Sequence, residues 1–416
     1  MRVAPLSTVL AIVFTNLMTS VAPGQTPPKP DSPPEKPPAS KELAAISGEL
    51  GDAVKLLGLT AQAVARHPAP PAIRVGTRLL YDTGSSYAND ANDHWLFHEQ
   101  AGGGIGLCTL DVAAIEGPAA VLVGQFFGFN PTSGRFEVLG ATSCNFGPAA
   151  AVGDFWIHPE LLKTVDATSA FRVRRGQYTL HGKVHNVLRV RVSSGSRTTQ
   201  WMYDTDTGLL LVYRSGSTIV HASPTEKDDE DWDGVVLNHM TLVGVRQIEW
   251  PGMTGKAPEW TRNLKRMRYQ GQHYVTLDGL PPTSGGAMEM EFRASASGDS
   301  LLAGELVDVL EESRSGRDAL NRRAFASGVA GPGLLFITPA AFKAMRPGQV
   351  LEREERIGYE LVVAHKDQQQ VVIELRHPLF FTRRVYDREG RMIMVEQAAR
   401  QLTGWQGWVQ RLVAVE

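Results

Sequence analysis

The chain has 416 residues, 43% of them hydrophobic and 21% charged, with a formal net charge of −2. That length is enough for two or three domains, and the apolar share is enough to bury their cores. Basic and acidic residues nearly cancel, which argues against a dedicated nucleic-acid surface.

The N-terminal residues 1–24 read as a secretory signal. Arg2 supplies the positive start, an apolar run includes Val9 to Phe14, and the small residues Ala22 and Gly24 stand at −3 and −1 of a cleavage point before Gln25. An uncleaved membrane anchor is the alternative; no other segment is apolar enough to span a bilayer. The expected location is therefore secreted or periplasmic, with no transmembrane segment after signal removal. Residues 25–40 form a Pro-rich polar tether, extended and solvated. Over 41–68, Leu43, Ile46, Leu50, Val54, Leu57 and Val64 recur at three- and four-residue steps, predicting an amphipathic helix weakened by Gly48, Gly51 and Gly58.

From there the chain is short alternating runs separated by Gly, Ser, Asp and Pro, the pattern of antiparallel β structure. In "VLRVRV", Leu188, Val190 and Val192 share one face, while Arg189 and Arg191 share the other. "VVIELR" turns Val371, Ile373 and Leu375 inward in the same way. The two cysteines, Cys108 and Cys144, suggest one disulfide in an exported chain, worth roughly 3–4 kcal/mol in the chain-entropy picture.

An internal repeat organises these strands. "GDFWIHPELLKTV" from Gly153 matches "GLLFITPAAFKAM" from Gly333 at one constant offset: Trp156 with Phe336, Ile157 with Ile337, Pro159 with Pro339, Lys163 with Lys343. Downstream, each copy carries two strands, a Tyr-Asp turn and another strand; upstream, "RLLYDTG" matches "RMRYQG". The expected fold is mainly β, with two tandem similar lobes of curved antiparallel sheet at 72–250 and 261–416.

Several motifs invite chemistry. "YDTGSS" (Tyr81 to Ser86) and "YDTDTG" (Tyr203 to Gly208) contain the D-T-G of aspartic peptidases, which makes Asp82 and Asp206 the catalytic residues of a secreted-peptidase alternative. The repeat weighs against it. The two motifs occupy different places in one copy, and the second copy has "YQG" and "DREG" there. The plainer reading is turn chemistry: Asp caps a turn with its side chain and Gly supplies positive φ. "DEDWDG" places Asp229, Asp231 and Asp233 at alternate positions before Gly234, the opening of a calcium loop, but Met240 stands where an EF-hand would close. A solvated acidic loop is the rival to that calcium-stabilised module. His94 with His98, and His181 with His185, have zinc-type spacing only if they lie on helices. His158 faces Thr338 in the repeat, which favours a local hydrogen bond over shared chemistry. "AGGGIGL" lacks the dinucleotide spacing.

The segment Thr198 to Ser217, "TTQWMYDTDTGLLLVYRSGS", resembles a strand–turn–strand element of lipoprotein-carrier-like proteins of the bacterial envelope, with an echo at Val385 to Val395. That resemblance implies a curved sheet able to hold an apolar ligand. The expected function is a non-catalytic extracytoplasmic binding or envelope protein whose partner is an apolar small molecule, a lipid or an envelope protein. No cofactor is expected apart from calcium in the alternative above.

Overall fold

The computed structural model describes residues 52–88, 105–130, 135–136, 142–166, 172–194, 197–221, 232–252, 256–278, 280–297, 301–310, 319–329, 335–401 and 404–416. Residues 1–51, where the signal, the tether and the first part of the helical segment are expected, lie outside them.

The fold is mainly β, built as two open antiparallel sheets of ten strands each. The first sheet contains β1 (Thr77–Ala88), β2 (Ile105–Glu116), β3 (Ala119–Asn130), β4 (Arg135–Phe136) and β5 (Thr142–Pro148). After a short helix (Pro159–Lys163) it continues with β6 (Arg172–Leu180), β7 (Lys183–Ser194), β8 (Arg197–Asp204), β9 (Leu210–His221) and β10 (Trp232–Gln247). The second contains β11 (Arg266–Leu277), β12 (Thr283–Ser297), β13 (Leu301–Leu310) and β14 (Ala319–Gly328), then a helix (Pro339–Ala344). It closes with β15 (Val350–Glu354), β16 (Tyr359–Lys366), β17 (Gln370–Arg376), β18 (Phe380–Asp387), β19 (Met392–Gln401) and β20 (Gly404–Val415). Both sheets run the same circuit: a meander, a helix, a second meander, and a last strand that returns beside the first, β10 on β1 and β20 on β11.

The likeness extends to single hydrogen bonds. Ile157 N–H donates to Gly208 O at 2.9 Å, and Ile337 N–H donates to Gly390 O at 2.9 Å. Leu210 N–H donates to Phe155 O, and Met392 N–H to Leu335 O. The Tyr81 hydroxyl donates to Leu210 O at 3.0 Å, the Tyr269 hydroxyl to Met392 O at 2.8 Å. Register shifts fall just before Tyr81 and Tyr269, and again just before Tyr203 and Tyr386. Trp156, Ile157, Phe336 and Ile337 are fully buried, and Pro159 and Pro339 each open the helix that follows. The helix caps differ: His158 Nδ1 accepts from Glu160 N–H, whereas the Thr338 hydroxyl oxygen accepts from Ala341 N–H and its hydrogen goes to Gly252 O in the connection between the sheets.

Two expectations are corrected. The helix expected over 41–68 is, where described, two five-residue turns, α1 (Asp52–Leu56) and α2 (Ala61–Ala65). Gly58 at φ +69° ends the first, and Thr60 caps the second. Apolar spacing registered the buried face, and Gly58, read from the sequence as a weak point, is where the helix divides. The expected Cys108–Cys144 disulfide does not form. Cys108 is a buried free thiol opposite Phe126, while Cys144 lies opposite Val123 on the other edge of β3. With a whole strand between them, the two α-carbons stand ~10 Å apart before the three-residue stagger is added, beyond disulfide reach.

The core is layered. One face of the first sheet, with Leu79, Tyr81, Leu110, Leu122, Val190 and Tyr203, packs under α1, α2 and the Pro159 helix. The opposite face of β1–β3 and β10 does not meet water either. Leu80, Leu107, Val121, Val123 and Val243 enter the core of the second sheet, among Tyr269, Phe292, Leu361, Ile373 and Tyr386. A Cβ on Gly328 would stand 3.1 Å from Ala113 Cβ, so β14 lies directly on β2. A charged network crosses the same interface. Arg78 pairs with Asp111 at 2.6 Å and with Glu352 of the second sheet at 2.7 Å, and Glu352 also accepts from Tyr359 and Trp250. The first sheet thus covers the inner face of the second, as helices cover the inner face of the first.

Candidate functional site

Alternation along β16–β20 leaves one face of the second sheet outside the core. Val371, Ile373, Leu375, Tyr386 and Val395 point inward. Val372, Glu374, Arg383, Val385, Met394 and Arg411 occupy the other face. On that face the strands frame an open groove of about 460 Å³. Ala364, Val372, Val385, Ile393 and Met394 form its apolar floor; His365, Gln370, Glu374, Arg383 and Arg411 form its polar rim.

The rim charges are mostly spoken for by a ladder that crosses the strands. Glu374 accepts from Arg376 at 2.7 Å and from Arg383 at 2.8 Å. Arg383 also donates to Glu396 at 2.9 Å, and Glu396 accepts the Tyr274 hydroxyl at 2.8 Å. Tyr274 reaches Glu396 by lying across Gly407 on β20, where an added Cβ would come within 2.9 Å of the Tyr274 ring. Burial pushes the Glu374 carboxyl up, but hydrogen bonds from Arg376 and Arg383 outweigh it and hold the group below the usual carboxylate range. His365 pairs with Asp367 at 3.3 Å. Arg411, opposite Met394 in the ladder, is exposed and makes no hydrogen bond or ion pair among the described residues. The groove therefore offers an apolar floor and one uncommitted cation. Its carboxylate is ionised and clamped, which suits recognition and not proton transfer.

The residues singled out from sequence are dispersed. Asp82 lies on β1 opposite Thr241, which pairs with Val212, which pairs with Met202. Asp206 sits in the turn after β8 and accepts from Asn186 at 3.1 Å. Three strand spacings, ~14 Å, separate them across the sheet, whereas a proton-sharing pair must be in contact. In that turn Asp204 does the capping: its Oδ1 accepts from the N–H groups of Asp206 and Thr207, and Gly208 follows at φ +79°. His185 bonds Asp204 at 2.7 Å, whereas His181 bonds Leu242 O at 3.1 Å, so these histidines serve different partners. Asp229, Asp231, His94 and His98 lie outside the described residues, as does the side chain of Asp233. No group of three or more metal-type ligands occurs among the described residues.

The groove was missed in the sequence because its floor comes from four strands, each contributing one or two outward apolar residues. The usable signal was Val372 and Val385, apolar residues at positions that alternation assigns to water. No protein-family model matches this chain, and no curated protein matches it in sequence.

Proposed function

We propose that this chain is a non-catalytic, extracytoplasmic binding protein that holds an amphiphile in the outer groove of its second sheet. The acyl or otherwise apolar part lies on Val372, Val385, Ile393 and Met394, and an acidic head group meets Arg411. The observation that carries this reading is the coincidence of an apolar floor with an exposed, uncommitted arginine, on a sheet whose other rim charges are paired. Each methylene seated there contributes about 0.8 kcal/mol, so a medium-length chain is enough for micromolar affinity. The inner faces of both sheets are filled by side chains, which leaves the outer groove as the place for such a ligand. The export signal read from residues 1–24 supports a location beyond the cytoplasmic membrane. Isothermal titration with dodecanoate tests the reading. One-to-one binding is expected, abolished by Val385→Asp and weakened several-fold by Arg411→Gln. No binding, or binding indifferent to both changes, would overturn it.

A further inference from the structure

The equivalent outer face of the first sheet carries quite different chemistry. Strands β6–β9 contain seven arginines and one lysine but a single acid, Asp204, which is already bonded to His185. Backbone register sets arginines directly against each other: Arg172 opposite Arg191, and Arg174 opposite Arg189. Like charges at directly opposed positions destabilise a sheet. Alternation turns all four to one face, because Leu188 and Val190, their neighbours on β7, point into the core. Arg175 points the other way and caps the Pro159 helix, donating to Leu162 O and Val165 O. Arg172 and Arg174 are exposed and make no hydrogen bond or ion pair among the described residues, and Arg189 is held by the Tyr178 ring and by Gln177 O. Arg214, on the same face, is buried; burial and the nearby Arg189 lower its pKa to about 10.

The second sheet shows that the fold does not require this crowding. The turns Tyr203-Asp204 and Tyr386-Asp387 and the pairings Val187↔Asp204 and Gln370↔Asp387 align the two meanders. Arg189 then corresponds to Val372, Arg191 to Glu374, and Arg174 to His365. Where one copy has a neutralised rim and an apolar floor, the other has concentrated cations in a patch two strands wide. The guanidinium fork matches phosphate oxygens in pairs, and opposed arginines about 5 Å apart can close on one such group from both sides.

We propose that Arg172, Arg174 and Arg189 form a phosphate-binding site on the outer face of β6–β7, separate from the groove of the second sheet. The ligand is a phosphate group, carried either by a soluble ester or by a lipid head group.

The full chain is titrated calorimetrically with glycerol 3-phosphate, and in parallel floated with vesicles of phosphatidylglycerol or of phosphatidylcholine. Binding to the soluble ester assigns the site to free phosphoesters; binding only to phosphatidylglycerol vesicles assigns it to a lipid head group. In either case Arg172→Gln/Arg174→Gln should weaken binding at least tenfold, and raising salt should weaken it in the wild type. Arg266→Gln/Arg353→Gln, on the second sheet and outside its groove, should leave it unchanged. Both substituted pairs are away from the core, and thermal melting of the first should be unchanged or higher because like-charge repulsion is relieved; if that double variant does not fold, Arg174→Gln alone serves. No binding to either probe, or equal loss in both double variants, would overturn the proposal.

Discussion

Arg78 of the first sheet and Glu352 of the second approach to 2.7 Å with both side chains nearly excluded from water. Asp111 completes the pair on one side and Tyr359 on the other, and burial pushes the Asp111 carboxyl up even beside Arg78. Removing the Arg78 cation leaves two buried acids facing each other, with Arg384 as the remaining cation acting on Asp111. Arg78→Met is therefore expected to cost about 3–5 kcal/mol, read as a drop in denaturation midpoint. A double-mutant cycle with Glu352→Gln should give a coupling of about 1 kcal/mol or more, whereas surface pairs such as Lys163–Glu160 should give much less.

Gly208 and Gly390 make a sharper test of the repeat. Both have φ near +80°, and an added Cβ would stand 2.2 Å from Ile157 O in one copy and 2.1 Å from Ile337 O in the other. Neither backbone can yield without breaking the bond that ties the turn to the repeated Trp-Ile or Phe-Ile segment. Gly208→Ala and Gly390→Ala should each destabilise by more than 1 kcal/mol and by similar amounts. Gly117, also at positive φ but with open space around it, should cost less when changed to Ala.

The pH dependence should carry a mark of His377. Its ring stacks on Phe380 at 4.0 Å and its Nδ1 accepts from Leu379 N–H; burial lowers its pKa to about 4. A histidine with a depressed folded pKa contributes stability that is complete above pH ~6.5 and declines as pH falls toward 4, because the unfolded chain takes up the proton first. His377→Asn keeps an acceptor for Leu379 N–H and should flatten urea stability between pH 6.5 and 4. Glu354 acts lower on the scale. Hydrogen bonds from Arg356 and Arg246 hold its carboxyl at about 2, so its contribution is present above pH ~4.3 and is lost as pH falls toward 2.

The cysteines give a chemical check on the sheet order. Peptide mapping of the unreduced chain should yield no peptide linking Cys108 to Cys144, and Cys108 should react with alkylating reagents only after unfolding.

Much of this architecture was written locally. The shared Pro159 and Pro339, the paired Tyr-Asp turns and the alternation in "VLRVRV" and "VVIELR" each report on a few neighbouring residues, and these sufficed for a doubled, mainly β chain. The features that failed or stayed hidden depend on strand order. Cysteine count says nothing about β3 running between Cys108 and Cys144. The groove needs Val372, Val385, Ile393 and Met394 to become neighbours through register, and Arg174 meets Arg189 only because β6 folds back on β7. The outward Arg189 and Arg191 were visible in the sequence as a wet face; their opposition to two further arginines was not.

The most direct test of the proposed amphiphile site is where the ligand sits. In methyl-labelled protein, a fatty acid bearing a nitroxide on its chain should broaden the NMR signals of Val372, Val385, Ile393 and Met394, and Arg411→Gln should diminish that broadening. Broadening centred instead on inner-face residues such as Leu110 or Leu188, or no selective broadening at all, would contradict the account.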